Sequence, residues 1–442
     1  MAPALAPPLQ MAVVNEESHK GEDFWTSRTA GQVVGYGVFD GHGGKDCARH
    51  CASEGPEGVL PQLLSGPDAK LPTAAAVVDV FWSVDAVCGP ALAARGGHGR
   101  DGGGAHAGST SNVLFLEALE RQKSAKASSK DEAASAGRPA GYRCIWAWTG
   151  DSTGITVDMA NGKLGPCTAN HVPENPVEAA NLQHMEAIGR VLLKGKGGKD
   201  KGKKEKKKKS APEVGDGAAA PAPAEAATER AEEEAEDEEP DPPDVPITVA
   251  DITEAMKKAS VSPSATCPID LLVRAFEREQ LIAATIPKGR KYRRNAVLQR
   301  RPHAKDENEP MVVATHEDPY SSHYRDLLMT RSVCDWTKSC WVLPHPETLE
   351  FTVPASKRYR VVLASDGLWD ICSAERAAEI VHAADTPQDA AEALLAVAKG
   401  VYQGERGLEK MGDDTTVMVV EINPSGVVGP PPKSKGGGCA VS

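Results

Sequence analysis

Short, nearly continuous apolar runs recur along the chain and stop abruptly at Asp- and Gly-rich junctions. Residues 33–39, 142–148, 359–364 and 415–422 are of this kind, and 109–119 begins as another. Runs of this length, bounded by turn residues, predict strands buried on both faces. Residues 11–14 and 155–157 read as shorter strands, the latter completing a hairpin with 142–148. Residues 73–87 instead space Val77, Val78, Val80, Phe81 and Val84 at near-helical intervals, and 45–64 opens as a helix over Cys47, Ala48 and Cys51. Residues 174–193 carry Ala180, Met185 and Ile188 behind Pro173 and Pro176, the signature of a helix start. Ser373 and Thr386 are N-caps for helices over 374–384 and from Pro387, with Leu394, Leu395 and Val401 on the buried face of the second.

The pattern breaks between 194 and 310. Residues 194–209 are mostly Lys and Gly, 210–227 are Ala/Pro-rich and 229–244 are acidic. Such a stretch buries too little apolar area to offset its ordering entropy, so disorder is expected. Residues 247–286 regain amphipathic spacing (Ile252, Met256, Val261; Leu271, Leu272, Phe276, Leu281), which predicts two helices, and 288–305 is basic again. Residues 96–108 and 121–138 read as exposed loops; His98 and His106 have no spaced partner. The expected organisation is a flexible tail over 1–10, one folded domain from 11–193 and 311–423, an insertion over 194–310 (low-complexity over 194–246, partly helical over 247–310), and a second tail over 424–442.

Composition narrows the classes. Among 442 residues, 40% are hydrophobic, enough for a sizeable core, and the net charge of −12 argues against nonspecific nucleic-acid binding. The ten cysteines show no paired zinc spacing, which reads as reduced thiols in an intracellular protein. The first residues lack a basic n-region and are broken by Pro, so they read as a tail. No apolar stretch is expected to approach the roughly 20 residues of a membrane span. A cytoplasmic location follows, with the Lys run as a nuclear-import signal or an anionic-membrane contact as alternatives, and nothing demands more than a monomer.

The junctions carry the candidate chemistry. Residues 38–44 read V-F-D-G-H-G-G: Asp40 ends a strand, Gly41 leaves a bare carbonyl beside it, and His42 is able to trade a proton near neutral pH. Asp151 follows the strand over 142–148, Asp366 with Gly367 repeats the Asp-Gly junction, and Asp413 and Asp414 precede the last strand. Asp23, beside Glu22, precedes an aromatic strand start. Carboxylates converging without basic residues between them repel, and hard divalent cations bound through oxygen relieve that repulsion. Two such ions can share a water and lower its pKa. Separate turn residues would give the same spacing.

These residues resemble the PPM (type 2C) metal-dependent protein serine/threonine phosphatases. The resemblance is distributed in order: G-E-D at 21–23, V-F-D-G-H-G-G at 38–44, G-S-T-S at 108–111, T-G-D-S at 149–152, H-V-P-E-N-P at 171–176, T-R-S-V-C-D at 330–335, A-S-D-G-L-W-D at 364–370 and D-D-T-T-V at 413–417. It implies an α/β four-layer sandwich, two antiparallel β-sheets flanked by helices. It also implies two Mn²⁺ or Mg²⁺ ions bridged by Asp40 and flanked by Asp23. The Gly41 carbonyl would hold one ion; Asp366 and Asp413 would hold the other. Glu22 would touch metal-bound water, and Asp151 would join a third, weaker ion. His42 would be the general acid, and a metal-bridging hydroxide would attack the phosphorus of phosphoserine or phosphothreonine in phosphoprotein substrates, with no phosphoenzyme.

Three positions depart from that pattern. Ser18 stands where a phosphate-clamping Arg is expected, leaving Lys20 or His19 as point contacts; Thr153 replaces an Arg; and Cys334 replaces a Gly before Asp335. A phosphatase-like module that binds phosphoproteins without turnover is therefore the alternative. Separately, Cys439-Ala-Val-Ser fits a C-a-a-X prenylation pattern, predicting farnesylation of Cys439 and reversible membrane attachment. Ala2 after Met1 excludes the myristoylation signal.

Overall fold

A computed structural model of the chain describes residues 9–93, 107–120, 139–197, 247–264, 267–285, 296–300, 311–315, 327–336 and 341–426. The loop expected at 121–138, all but the last two residues of the loop expected at 96–108, most of the low-complexity stretch, and Cys439 lie outside the described residues; Gly108 itself falls in a short strand rather than a loop.

Two antiparallel sheets face each other. One holds β1 (Leu9–Glu16), β7 (Thr153–Asp158), β8 (Leu164–Cys167), β12 (Tyr359–Ala364) and β13 (Thr415–Ile422), in the order β1-β13-β12-β7-β8. The other holds β2 (Asp23–Ala30), β3 (Val33–His42), β5 (Ser111–Leu119), β6 (Gly141–Thr149) and β11 (Glu347–Pro354), with the two-residue β4 (Gly108–Ser109) pairing the end of β3. The apolar runs are continuous because both faces of each sheet are covered. In β5, Leu114 and Leu116 point into the cluster between the sheets with Trp146, Val361, Leu363 and Met418. Val113 and Phe115 alternate to the other face, into a cluster with Cys47, Leu60 and Phe81 from α1 (Asp46–Cys51), α2 (Val59–Leu63) and α3 (Ala74–Ala93). In β12 the alternation repeats: Val362 and Ala364 meet Leu368, Ala378 and Leu394 from α7 (Asp366–Trp369), α8 (Ala374–Ala383) and α9 (Pro387–Lys399). The result is the expected four-layer sandwich.

The predicted caps form. The Ser373 hydroxyl accepts from the Arg376 N–H, and Thr386 with Asp389 makes a capping box with Pro387 inside the first turn. Several strands escaped the sequence pattern, β11 and β8 of the two main sheets among them. β11 reads E-T-L-E-F-T-V-P and lies at a sheet edge with mostly part-exposed side chains, so its apolar signal is weak. β8 is a four-residue edge strand containing Pro166.

α3 requires a correction. Ala74–Leu92 is long and apolar enough, by length and composition, to cross a membrane, with mean hydropathy 1.5 over 19 residues, so the expectation that no stretch approaches that length does not hold. Here the helix is a core element: Val77, Phe81, Val84, Cys88 and Leu92 are buried, and Asp85 on the same helix is bound from three sides, as described below.

The helices α5 (Val249–Ala259) and α6 (Ile269–Thr285) form as their spacing predicts. They share one buried cluster with α4 (Pro176–Gly197) and with Trp336, Trp341, Val342 and Leu343. α4 runs four residues into the Lys/Gly stretch, and β9 (Ala296–Arg300) pairs antiparallel with β10 (Met311–Thr315).

Candidate active site

Strand register gathers the carboxylates. Asp23 opposes Asp40 directly across β2 and β3. β5 begins at Ser111 opposite Thr149, the last residue of β6, so the turn carrying Asp151 lies at the same end of the sheet as Asp40. In the facing sheet, Ala364 at the end of β12 lies opposite Thr153 and Val417, which puts Asp366, Asp413 and Asp151 at one end of three adjacent strands. All the predicted acids therefore meet at one end of the sandwich.

Electrostatics show how closely. Burial pushes the Asp40 carboxyl well above the usual carboxylate range, and Asp23, Asp366, Asp151 and Asp413 all push it further. Asp366 is raised in the same way, by burial and then by Asp151, Asp413 and Asp370. Burial pushes Asp23 and Asp151 up to about 6. Glu22 and Asp370 are raised too, again chiefly by burial. Asp23 Oδ1, Asp151 Oδ1 and Asp366 Oδ1 are buried without a hydrogen-bond partner. Buried, mutually repelling carboxylates with orphaned oxygens are a donor set for hard cations, so the residues present fit the implied divalent ions. Gly41 fits as well: a Cβ there would stand 2.8 Å from the Glu22 carbonyl oxygen, so only glycine lets its backbone lie so close to the Glu22–Asp23 segment.

The surrounding groups hold the acids in place. Ser365 Oγ donates to Asp23 Oδ2 at 2.7 Å. The Asp40 N–H donates to Thr110 Oγ1, whose own hydroxyl donates to Ser152 Oγ at 2.6 Å. Glu22 Oε1 accepts the Gly44 N–H at 2.7 Å. Asp414 accepts the Ser18 N–H at 2.5 Å and the Glu22 N–H at 2.6 Å, and these bonds hold its carboxyl below the usual range despite burial. Asp414 therefore ties down the 18–22 turn, and Asp413 is the member of the pair that meets the cluster. Lys20 Nζ lies 2.8 Å from both Asp413 oxygens. Burial opposes the Lys20 charge, but Asp413, Asp366 and Asp40 prevail and carry its pKa to about 12.

His42 sits at the rim. Its Nε2 lies 2.7 Å from Asp335 Oδ2, which also accepts the Ser332 hydroxyl, and its Nδ1 is buried without a partner. A Cβ on Gly108 would stand 2.4 Å from that Nε2 and 2.5 Å from Asp335 Oδ2, so β4 needs glycine to admit the pair. Cys334 keeps the tight turn before Asp335 by adopting φ +69°, a left-handed conformation. Its N–H donates to Asp85 Oδ1 at 2.8 Å, and the same carboxylate accepts from Arg278 and from Trp336 Nε1. Nearby, Arg331 and Glu178 form a buried bidentate pair.

Sequence reasoning named Asp23, Asp40, Gly41, Asp151, Asp366, Asp413, Glu22, His42 and Lys20, and the structure brings them to one place. It missed the Asp335–His42 pair, Ser365, Asp370 and the tethering role of Asp414. The T-R-S-V-C-D motif was the available signal for Asp335.

Comparison with known proteins agrees with this fold. The family model described as "Protein phosphatase 2C" matches residues 321–403. A probable protein phosphatase 2C 12 of Arabidopsis thaliana is 32% identical over 120 residues, which span 26% of this chain and 26% of that relative. The crystal structure of serine-threonine phosphatase 2C from Toxoplasma gondii superposes with a TM-score of 0.51 at 15% identity, covering 93% of this chain and 94% of that one; at this identity the likeness is one of fold. The family match spans the Asp366 junction, and the sandwich is the fold of that Toxoplasma phosphatase.

Proposed function

We propose that the protein is a divalent-cation-dependent protein serine/threonine phosphatase. The observation that carries the proposal is the convergence of Asp23, Asp40, Asp151, Asp366 and Asp413, each from a different strand end, with orphaned buried oxygens on three of them. Asp40, Asp23 and the Gly41 carbonyl would hold one ion, Asp40, Asp366 and Asp413 a second, and Asp151 with Asp370 a weaker third. Bound Mn²⁺ or Mg²⁺ would supply positive charge against a phosphoryl group and a water acidic enough to attack phosphorus directly, without a phosphoenzyme.

The chain's own residues do the rest. Asp335 fixes the His42 ring through Nε2, so that His42 is held in place to give a proton to the departing serine or threonine oxygen. Glu22, anchored on the Gly44 N–H, is placed to orient water at the same mouth. Lys20 is the cation available beside Asp413, and it would meet a phosphate as a point charge rather than as a bidentate clamp. Ser18, with its N–H held by Asp414, takes no such part.

The test is hydrolysis of a phosphothreonine peptide by the purified chain, with and without Mn²⁺, beside Asp366→Asn. Metal-dependent phosphate release that the variant loses is the expected result. Binding of the phosphopeptide with no turnover at any Mn²⁺ concentration would establish the non-hydrolysing module instead; Ser18 and Thr153, standing where arginines are expected, are the features that favour it.

A further inference from the structure

Behind the His42–Asp335 pair, three thiols from distant parts of the chain meet. Cys47 comes from α1, Cys88 from α3 and Cys334 from the loop before Asp335; their sulfurs all lie within 4.8 Å of one another. They are 0%, 4% and 2% exposed, in the apolar cluster that also contains Val84, Ala107 and Val333. Cys47 Sγ donates to the Val333 carbonyl at 3.4 Å, which ties α1 to the same loop.

Buried cysteines often serve simply as small hydrophobes. Cys334 does not fit that role comfortably. At φ +69° an L side chain costs on the order of 1 kcal/mol, which glycine would avoid. A strained backbone that keeps a side chain aimed at two others of the same chemistry points to a use for that side chain.

We infer that Cys47, Cys88 and Cys334 form a binding site for a soft, thiophilic metal ion, Cu(I) being the ion whose chemistry matches three sulfurs. The group contains no imidazole or carboxylate, so hard cations of the kind that suit the aspartate cluster have no ligand in it. Zinc closes its structural sites with four ligands, whereas this group offers three. An equilateral triangle of 4.8 Å edge has its centre about 2.8 Å from each corner, so reaching a metal–sulfur bond of about 2.3 Å asks each sulfur to move by roughly 0.5 Å or less. Binding transfers no electron: S–H bonds ionise, Cu–S bonds form and the protons leave to solvent. Burial raises the Cys47 and Cys334 thiols well above their usual range, so without an ion they stay protonated, and uptake must be coupled to proton release. An ion there would join α1, α3 and the 333–335 segment, the backbone that carries Asp335.

The experiment uses the full chain under anaerobic conditions, titrated with Cu(I) against a chromogenic Cu(I) chelator, beside Cys334→Gly and Cys47→Ser. The wild type is expected to withdraw one more equivalent than either variant, with thiolate-to-copper absorption that the variants lack. Glycine suits φ +69°, so Cys334→Gly should unfold, without metal, at or above the wild-type temperature, which separates loss of the site from loss of the fold. Withdrawal of no copper by the wild type, or of the same amount by Cys334→Gly, overturns the inference, because the remaining cysteines then account for whatever binds. The readout does not involve phosphate hydrolysis, so it stands or falls apart from the phosphatase reading.

Discussion

The Lys20 ammonium lies 2.8 Å from each carboxylate oxygen of Asp413, one of the residues assigned to a divalent ion. The adjacent Asp414 holds the turn that presents Lys20, through the Ser18 and Glu22 N–H groups. Two neighbouring acids thus divide the work: one fixes the turn, the other faces the cluster. In this arrangement Lys20 competes with a cation for Asp413. The pair is half exposed, so its worth is below about 1 kcal/mol, or roughly a fivefold change in an equilibrium constant. Lys20→Met is therefore expected to lower the Mn²⁺ concentration for half-maximal activity by up to about fivefold, and to raise KM for a phosphopeptide if the lysine also meets phosphate. Mn²⁺ titrations at saturating peptide, and peptide titrations at saturating Mn²⁺, separate the two effects.

Stability without divalent ions should fall as pH rises. Asp23 and Asp151 are pushed up to about 6 from an ordinary value of 3.8, so between those values the folded chain binds more protons than the unfolded one. The stabilisation they give is complete below about 3.8 and is lost as pH passes 6, at most on the order of 3 kcal/mol for each. Buried neutral His171 and His345 act in the opposite sense, so the comparison that isolates the acids is with Asp151→Asn. In EDTA, the unfolding temperature of the wild type should drop between pH 4.5 and pH 7 relative to that of Asp151→Asn. Added Mn²⁺ should recover the difference at pH 7 and change little at pH 4.5.

The Asp335–His42 contact makes a kinetic prediction. Asp335→Asn preserves the shape of the contact but replaces the carboxylate that holds the His42 ring with a neutral amide. General acid catalysis typically contributes 10²–10⁴-fold, and part of that contribution should be lost. We expect kcat to fall by about tenfold or more with KM nearly unchanged, because Asp335 has no assigned contact with substrate. A leaving group that needs no proton, such as p-nitrophenolate, should show a smaller loss than a phosphothreonine peptide; equal losses would count against the acid role.

The ends of the apolar runs were legible in the sequence because each run gives way to a junction rich in Asp and Gly. Asp40, Asp151, Asp366 and Asp413 could therefore be read as strand-end acids before any geometry was known. The Asp335–His42 pair could not, since 293 residues separate its members and neither carries a periodic signal. β11 was hidden by its position at a sheet edge, where alternate side chains stay partly in water. The helical spacing of 247–286 predicted α5 and α6, but not that they would bury Trp336 and Trp341 beside α4. Hydrophobic pattern reports which face is buried and is silent on what covers it.

Asp85 joins that cluster to the active-site loop, and this gives the last prediction. It is 1% exposed and accepts from Arg278 of α6, from the Cys334 N–H and from Trp336 Nε1. Arg278 is itself 3% exposed. Asp85→Ala takes the bidentate carboxylate from a buried guanidinium and the acceptor from a buried backbone N–H together, and breaking such a pair from one side typically costs about 3–5 kcal/mol. Asp85→Ala with Arg278→Met removes both charges and should recover much of that stability. It should not recover activity to the same degree, because the Cys334 N–H and Trp336 Nε1 still lack their acceptor and the turn that aims Asp335 at His42 is left without its anchor. Denaturant unfolding of the two variants beside their kcat values tests this. Activity restored in step with stability would show that Asp85 serves the fold alone.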